Sequence, residues 1–342
     1  MNGTLSTTNA LATACDSLVK GYYEKDLFWG NVLISSEGNV EFKKSYGFAS
    51  YEWNVPHRHD TIFRIGCITK FITAIRIMQL CESEELTLTN TVKDFFPNLA
   101  STSIGNINIH QLLSHSSGLK DFFEVDEFPN KVFNKEEFEE MLKGATLGFE
   151  PGSQSEYANL TYTLLSYIIE DVTGTSFHSD IKNNLFDPLG MTRSTIEYGC
   201  NDLVLEKASG YMNTANTIRT ARFFNVNVYK GCAACYSTVD DIHTLCLAFL
   251  NGKLMSQMSK EKMLLINDNH DPYGCSIRFK ATQQDAKTLI IFKNGGVYGY
   301  RSTIALIPDS QKCLVILGNL EVARETFIKM IDELLTLVFS TH

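Results

Sequence analysis

A cysteine and a lysine three positions apart, in Cys67-Ile68-Thr69-Lys70, are the residues of this chain whose types and spacing could do covalent chemistry. On the first turn of a helix, that spacing puts thiol and amine on one face within reach of each other. The positive helix N-terminus and the amine both stabilise a thiolate, and burial favours the neutral, base-competent form of the lysine. The same residues also fit a plain core cysteine beside a lysine whose stem runs along apolar surface, because free cysteine is among the most buried residue types. Spacing alone does not choose between these, since Ser17, Ser179 and Ser259 also stand three positions before a lysine. Context sets Cys67 apart: it follows Phe63-Arg64-Ile65-Gly66 and leads into a run, Phe71 to Leu80, that is apolar on nearly every side. That pattern predicts a buried core helix.

The elements that must position this pair are legible from period and punctuation. Residues 8 to 24 have helical apolar spacing through Leu11, Cys15, Leu18, Val19 and Tyr22. Asn31 to Ser35 and Val40 to Ala49 alternate around a Ser36-Glu37-Gly38-Asn39 turn, which predicts a β-hairpin. From Cys67 to about Thr195 the signals are mostly helical, including Ile109 to Gly118, closed by glycine, and a buried helix starting near Tyr157. After Tyr211 short strands return at Cys275 to Phe279, Thr288 to Lys293, Ser302 to Pro308 and Lys312 to Gly318, and Ala323 to Phe339 closes the chain as an amphipathic helix. The expected fold is α/β (α+β): an antiparallel sheet built from both chain ends, flanked by terminal helices, with a mostly helical inserted region. In this division, residues 1–65 and 212–342 form the sheet-plus-helices region, residues 66–211 form the helical one, and the active site lies between them. Substrate choice falls to the loops at 120–135, with its aromatic residues, and 211–235.

The chain has 342 residues, 44% hydrophobic and 20% charged, with net charge -9, the composition of an ordinary soluble globular protein. The acidic balance argues against nucleic acid and against an anionic membrane surface, leaving small molecules or peptides as partners. The first residues lack a basic region and apolar core of signal-peptide type, and no later stretch is long and apolar enough to span a bilayer, so the expected location is cytoplasmic. Nine cysteines scattered through apolar segments suit a reducing compartment better than a disulfide framework. Cys232-Ala233-Ala234-Cys235 is a lone CxxC; zinc wants a second pair, and only His57 and His59 cluster elsewhere, so neither metal nor cofactor is expected.

Three motifs stand in order: Cys67-x-x-Lys70, Tyr157-Ala158-Asn159 and Lys293-Asn294-Gly295. Their order is that of the penicillin-recognising set S-x-x-K, S-D-N and K-T-G. With them come Leu112-Leu113-Ser114-His115-Ser116-Ser117-Gly118, Phe149-Glu150-Pro151-Gly152, Phe186-Asp187-Pro188-Leu189-Gly190-Met191, Tyr236-Ser237-Thr238 and Gly295-Gly296-Val297-Tyr298-Gly299-Tyr300. Over nearly its whole length the chain resembles the serine β-lactamase and D-alanyl-D-alanine peptidase superfamily, in the Tyr-x-Asn branch that holds class C β-lactamases and related esterases and transacylases.

The resemblance implies roles. Cys67 stands where the family has its serine nucleophile, Lys70 is the adjacent proton acceptor, and Tyr157 relays a proton to the leaving group. Asn159 holds the substrate amide or orients Lys70, while Lys293, with Asn294 and Gly296, belongs to substrate binding; Lys293 anchors a carboxylate or tunes Tyr157. The backbone N–H groups of Cys67 and Gly296 form the oxyanion hole. Cysteine in place of serine is the departure, and it keeps acylation feasible as a thioester, since a free thiol ionises near pKa 8.5. A hydrolase acting on an amide or ester through acyl-Cys67 is therefore the leading expectation. Its alternatives are an acyltransferase that passes the acyl group to an amine or alcohol, and a catalytically dead binding protein or engineered Ser→Cys variant.

Overall fold

The computed structural model describes residues 4–121, 133–198, 203–266, 271–281 and 287–340. Most of the aromatic loop expected at 120–135 lies outside the described residues. Helix α1 (Thr4–Tyr23) leads into the hairpin β1 (Gly30–Ser36) and β2 (Asn39–Tyr46), somewhat as the alternation predicts. Helix α2 (Ile68–Glu82) follows Cys67, and α3 (Asn159–Thr173) follows Tyr157. The later chain adds β3 (Ser276–Ala281), β4 (Lys287–Val297), β5 (Tyr300–Ile307), β6 (Lys312–Gly318) and the closing helix α4 (Arg324–Ser340).

These six strands make one sheet in the order β3-β4-β5-β6-β1-β2, and every neighbouring pair is antiparallel. The N-terminal hairpin joins the C-terminal strands through β1 and β6, from Gly30 opposite Gly318 to Ser36 opposite Lys312. The two chain ends thus share a sheet, as the fold class requires. Both faces of the sheet are covered, which is why its inner strands read as continuous apolar runs. Along β6, Leu314 and Ile316 pack toward the terminal helices with Leu11, Cys15, Met330 and Leu334. Their neighbours Cys313, Val315 and Leu317 face the helical side with Phe71, Ile75 and Phe249.

Helix α2 runs through the middle of that second core. Ile68, Phe71, Ile72, Ala74, Ile75, Ile77 and Leu80 are all fully buried, so the apolar-all-round pattern corresponds to a helix with no solvent face. Each such large apolar side chain contributes roughly 1.5–3 kcal/mol on burial. Among its polar side chains, Arg76 donates two hydrogen bonds of 2.7 and 2.9 Å to Asp180, which is itself wholly buried. Among the described residues no helix is long and apolar enough to cross a membrane, and no group of three or more His, Cys, Asp or Glu side chains could hold a metal ion. His57 instead donates from Nε2 to Asn319 Oδ1 over 2.9 Å and lies tilted against the Phe63 ring.

Removing Asp180 leaves the Arg76 guanidinium without its partner in a largely buried place. Asp180→Ala is expected to cost about 3–5 kcal/mol in urea unfolding, and the double change Arg76→Met with Asp180→Leu considerably less. Equal losses for the single and double variants would show that the pair does not fix α2.

Candidate active site

The Cys67 position is built by a close approach of helix to sheet. Phe63 and Arg64 pair with Ser237 and Tyr236, Ile65 N–H donates to Cys235 O at 3.0 Å, and Ser302 Oγ of β5 donates to Ile65 O at 2.7 Å. The lead-in is therefore clamped on both sides before the helix starts. Gly66 then turns with φ +52°, and a Cβ there would stand 2.7 Å from Gly296 N. Glycine is needed both for that conformation and for the contact. Thr69 Oγ1 donates back to Gly66 O at 2.7 Å, fixing the first turn.

Cys67 is thereby held at the head of α2, partly exposed, with Tyr157 O–H donating to its Sγ at 3.1 Å and Lys70 Nζ at 3.5 Å. Lys70 has no exposed surface. Its ammonium donates to Asn159 Oδ1 at 2.8 Å and to Cys232 Sγ at 2.6 Å as well. Asn159 is oriented from behind: its Nδ2 donates to Asp121 Oδ2 at 2.9 Å, while Asp121 Oδ1 accepts from Leu160 N at 2.8 Å and so caps α3. Tyr157 keeps 48% of its surface open but lays its ring against His115 at 4.6 Å, with Lys70 Nζ 4.7 Å and Lys293 Nζ 5.3 Å from its centroid.

The charge states follow from these contacts. A hydrogen bond from Cys232, and then the positive charges of Lys70 and Lys293, bring the Cys67 thiol well below its ordinary pKa, against the opposing effect of burial. Burial alone would neutralise Lys70, yet the negative charge on the Cys232–Cys67 pair raises its pKa well above normal. This reverses the sequence-based expectation of a neutral lysine: the pair is better described as thiolate and ammonium. Burial, followed by repulsion from Lys70, lowers Lys293 to about 8. Burial, with the two lysine charges, keeps His115 neutral, and burial with the Cys67 charge pushes the Tyr157 phenol well up.

Of the residues named from sequence, Cys67, Tyr157, Asn159 and Gly296 line one cleft of about 250 Å³, with Phe224, Tyr229 and Tyr298 forming aromatic wall. Lys70 lies beneath them. Lys293 is buried beside Tyr157 and does not line the cleft, and Asn294 accepts from Thr303 Oγ1 at 2.6 Å across the β4–β5 ladder. A larger shallow groove of about 670 Å³ between α1 and α4 holds none of these residues. Sequence reading passed over Asp121, His115 and Cys232 as site residues. The positive φ of His115, +56°, has no sequence signal beyond the adjoining serines.

Cys67 is expected to be alkylated by iodoacetamide at pH 6, where an ordinary thiol is almost fully protonated. Cys15 and Cys81, pushed up to about 11, and Cys275, pushed up to about 12, stay silent. Lys293→Met slows the Cys67 reaction below pH 8, because the lysine carries its charge only there, and the two proteins converge above it. Peptide mapping of the alkylated chain reads both effects; an unmodified Cys67 at pH 6 would contradict the thiolate.

Comparison with known proteins identifies the family. Protein flp of Staphylococcus aureus strain MRSA252 is 27% identical over 96% of this chain and 66% of its own length. The putative penicillin-binding protein PbpX of Bacillus subtilis strain 168 is 26% identical over 72% of this chain and 61% of its own. The chain thus spans about two thirds or less of the length of these relatives. A β-lactamase/D-alanine carboxypeptidase structure from Pseudomonas syringae superposes with TM-score 0.81 at 21% identity, covering 96% of this chain and 99% of that one, which is a likeness of fold. The sequence profile described as Beta-lactamase matches residues 19–335, and with that match over most of its length the chain belongs to the beta-lactamase family.

Proposed function

We propose that the protein is an acyl-enzyme hydrolase that opens an amide or ester through a thioester on Cys67. The observation that carries this reading is the Cys67 sulfur, set at the foot of an open cleft with a phenol O–H 3.1 Å away and a buried ammonium 3.5 Å away. The family supplies the general chemistry; the roles below are this chain's own.

Cys67 enters the reaction already ionised, its proton held by Lys70. Its thiolate attacks the carbonyl carbon, and the new oxyanion lies between the N–H groups of Cys67 and Gly296, whose backbones meet at the Gly66 contact. As the C–N or C–O bond breaks, Tyr157 O–H gives its proton to the leaving group, and Lys70 returns a proton to the phenolate above it. Water then attacks the thioester: Tyr157 passes its proton back to Lys70 as it takes one from the water, and Cys67 leaves as thiolate beside the restored ammonium. Asn159 keeps Lys70 in place, and Lys293 acts electrostatically on Tyr157 from its buried position. In this arrangement the cleft lies between the sheet-bearing residues 1–65 and 212–342 and the helical residues 66–211.

Sulfur also favours a second outcome. A thioester reacts with amines more readily, relative to water, than an oxygen ester does, so acyl transfer to an amine competes with hydrolysis at the same intermediate.

Intact-mass measurement after incubation with activated esters, D-alanyl-D-alanine-type peptides and a β-lactam tests the reading. The chain is expected to gain an acyl mass that Cys67→Ala lacks, and Tyr157→Phe to slow its formation by about 10²–10⁴. Adding an amine shows which acceptor takes the acyl group. No adduct with the chain as it stands, alongside turnover by Cys67→Ser, would make Cys67 an inactivating residue in a serine hydrolase; silence from both would leave a binding protein.

A further inference from the structure

Cys232 is the reactive group that the three motifs leave unexplained. It sits on a single helical turn, Lys230–Ala233, with 1% of its surface exposed. Two contacts press that turn into the site. Thr73 Oγ1 of α2 donates to Gly231 O at 2.7 Å, and a Cβ on Gly231 would stand 2.2 Å from Tyr162 O of α3, so only glycine lets the backbones approach this far. Cys232 Sγ consequently accepts from Lys70 Nζ at 2.6 Å and donates its S–H to Asn159 Oδ1 at 3.1 Å.

The arrangement is a counting problem. Lys70 has three N–H donors and faces three acceptors: Cys67 Sγ, Asn159 Oδ1 and Cys232 Sγ. Two thiols compete for the compensation of one ammonium, so one sulfur carries the charge and the other keeps its proton. Of the two, Cys67 is the one that also accepts from Tyr157 O–H, at 3.1 Å. We infer that Cys232 is a positioning residue of the Cys67 thiolate: its S–H is held by Asn159 Oδ1 and its sulfur accepts from Lys70, so it stays a neutral thiol that anchors the ammonium beside Cys67 and the charge rests on the nucleophile. This rests on the reading of Cys67 as nucleophile.

The other groups facing the pair come from several elements. Lys70 projects from α2, Tyr157 from the segment ahead of α3, Lys293 from β4, and Tyr229 from the segment before the Cys232 turn; Asp121 stands behind Asn159. His115, Tyr162 and Cys275 complete the surroundings. Burial keeps His115 neutral and pushes the tyrosines and Cys275 upward, so they hold one charge state across the neutral range. Lys293, lowered to about 8, is the other titrating cation in that range.

The test is the pH profile of Cys67 alkylation by iodoacetamide in the full chain, read by peptide mapping, with Cys232→Ala and Cys232→Ser beside it. Cys232→Ala removes one of the three partners that hold the ammonium beside Cys67, so the midpoint moves up by about one pH unit and the rate at pH 6 falls about tenfold. Cys232→Ser keeps an O–H donor and restores most of the reactivity. A Cys232→Ala profile coincident with the parent's overturns the proposal, and so does an equal loss in both variants, which marks packing alone. Should Cys232→Ala not fold, Cys67→Ser decides: thiolate absorbance at 240 nm is expected to persist near neutral pH, now on Cys232, and its disappearance overturns the competition of two thiols. The two readings fail separately. An unchanged alkylation profile with normal acylation sinks only the role of Cys232, while the expected profile without any acyl adduct sinks only the hydrolase.

Discussion

The burial of one ammonium governs the rest of the site. A charged amine with no exposed surface survives only when every N–H finds a partner and an opposite charge lies near. Lys70 meets that condition with three acceptors from three places: Cys67 at the head of α2, Asn159 at the head of α3, and Cys232 on the turn pinned by Gly231. The cation therefore fixes how two helices and a loop sit relative to one another. It also explains the second lysine. Lys293 approaches the same thiolate from β4, and with Lys70 already charged, burial and repulsion leave it a cation that is easily discharged.

Sulfur as the proposed nucleophile changes what the scaffold would have to do. A hydroxyl needs a neutral base to take its proton during attack, whereas a thiol beside Lys70 has given its proton up in the resting site. In the proposed reaction the ammonium then no longer waits as a base, and the phenol of Tyr157 would manage the leaving-group proton. Its raised pKa suits a donor, since it remains protonated until a strongly basic leaving group develops beside it. His115 contributes by staying neutral: it supports the Tyr157 ring and accepts from Ala158 N at 3.3 Å without adding a third positive charge.

Much of this was legible in the sequence where local pattern carries it. The apolar run after Gly66 is a buried helix, both chain ends supply one antiparallel sheet, and Cys67, Tyr157, Asn159 and Gly296 do meet in one cleft. What escaped was set by partners far apart in the chain. Burial predicts a neutral Lys70 only if the nearby thiols are ignored. Cys232 and Cys235 read as a pair, yet they diverge: one meets Lys70, while the other lies in a short strand with its S–H donating to Tyr236 O. Asp121 has no motif at all, because its work is to hold Asn159 and the head of α3 across a separation that no short period encodes.

The cleft's chemistry also depends on how its far wall is neutralised. Arg301 lies opposite Gly296 in the β4–β5 register and pairs with Glu321 at 2.6 Å, whose second oxygen accepts from Gly299 N at 2.8 Å. That pair ties the strand carrying the Gly296 donor to the turn after it, and it cancels the positive charge that Arg301 would otherwise present. With the charges on that wall matched, what remains facing Cys67 is largely the aromatic surface of Phe224, Tyr229 and Tyr298. Apolar surface of this kind excludes water from around the thiolate, and the fewer waters share its charge, the more its reactivity is set by Lys70, Tyr157 and the two backbone N–H groups.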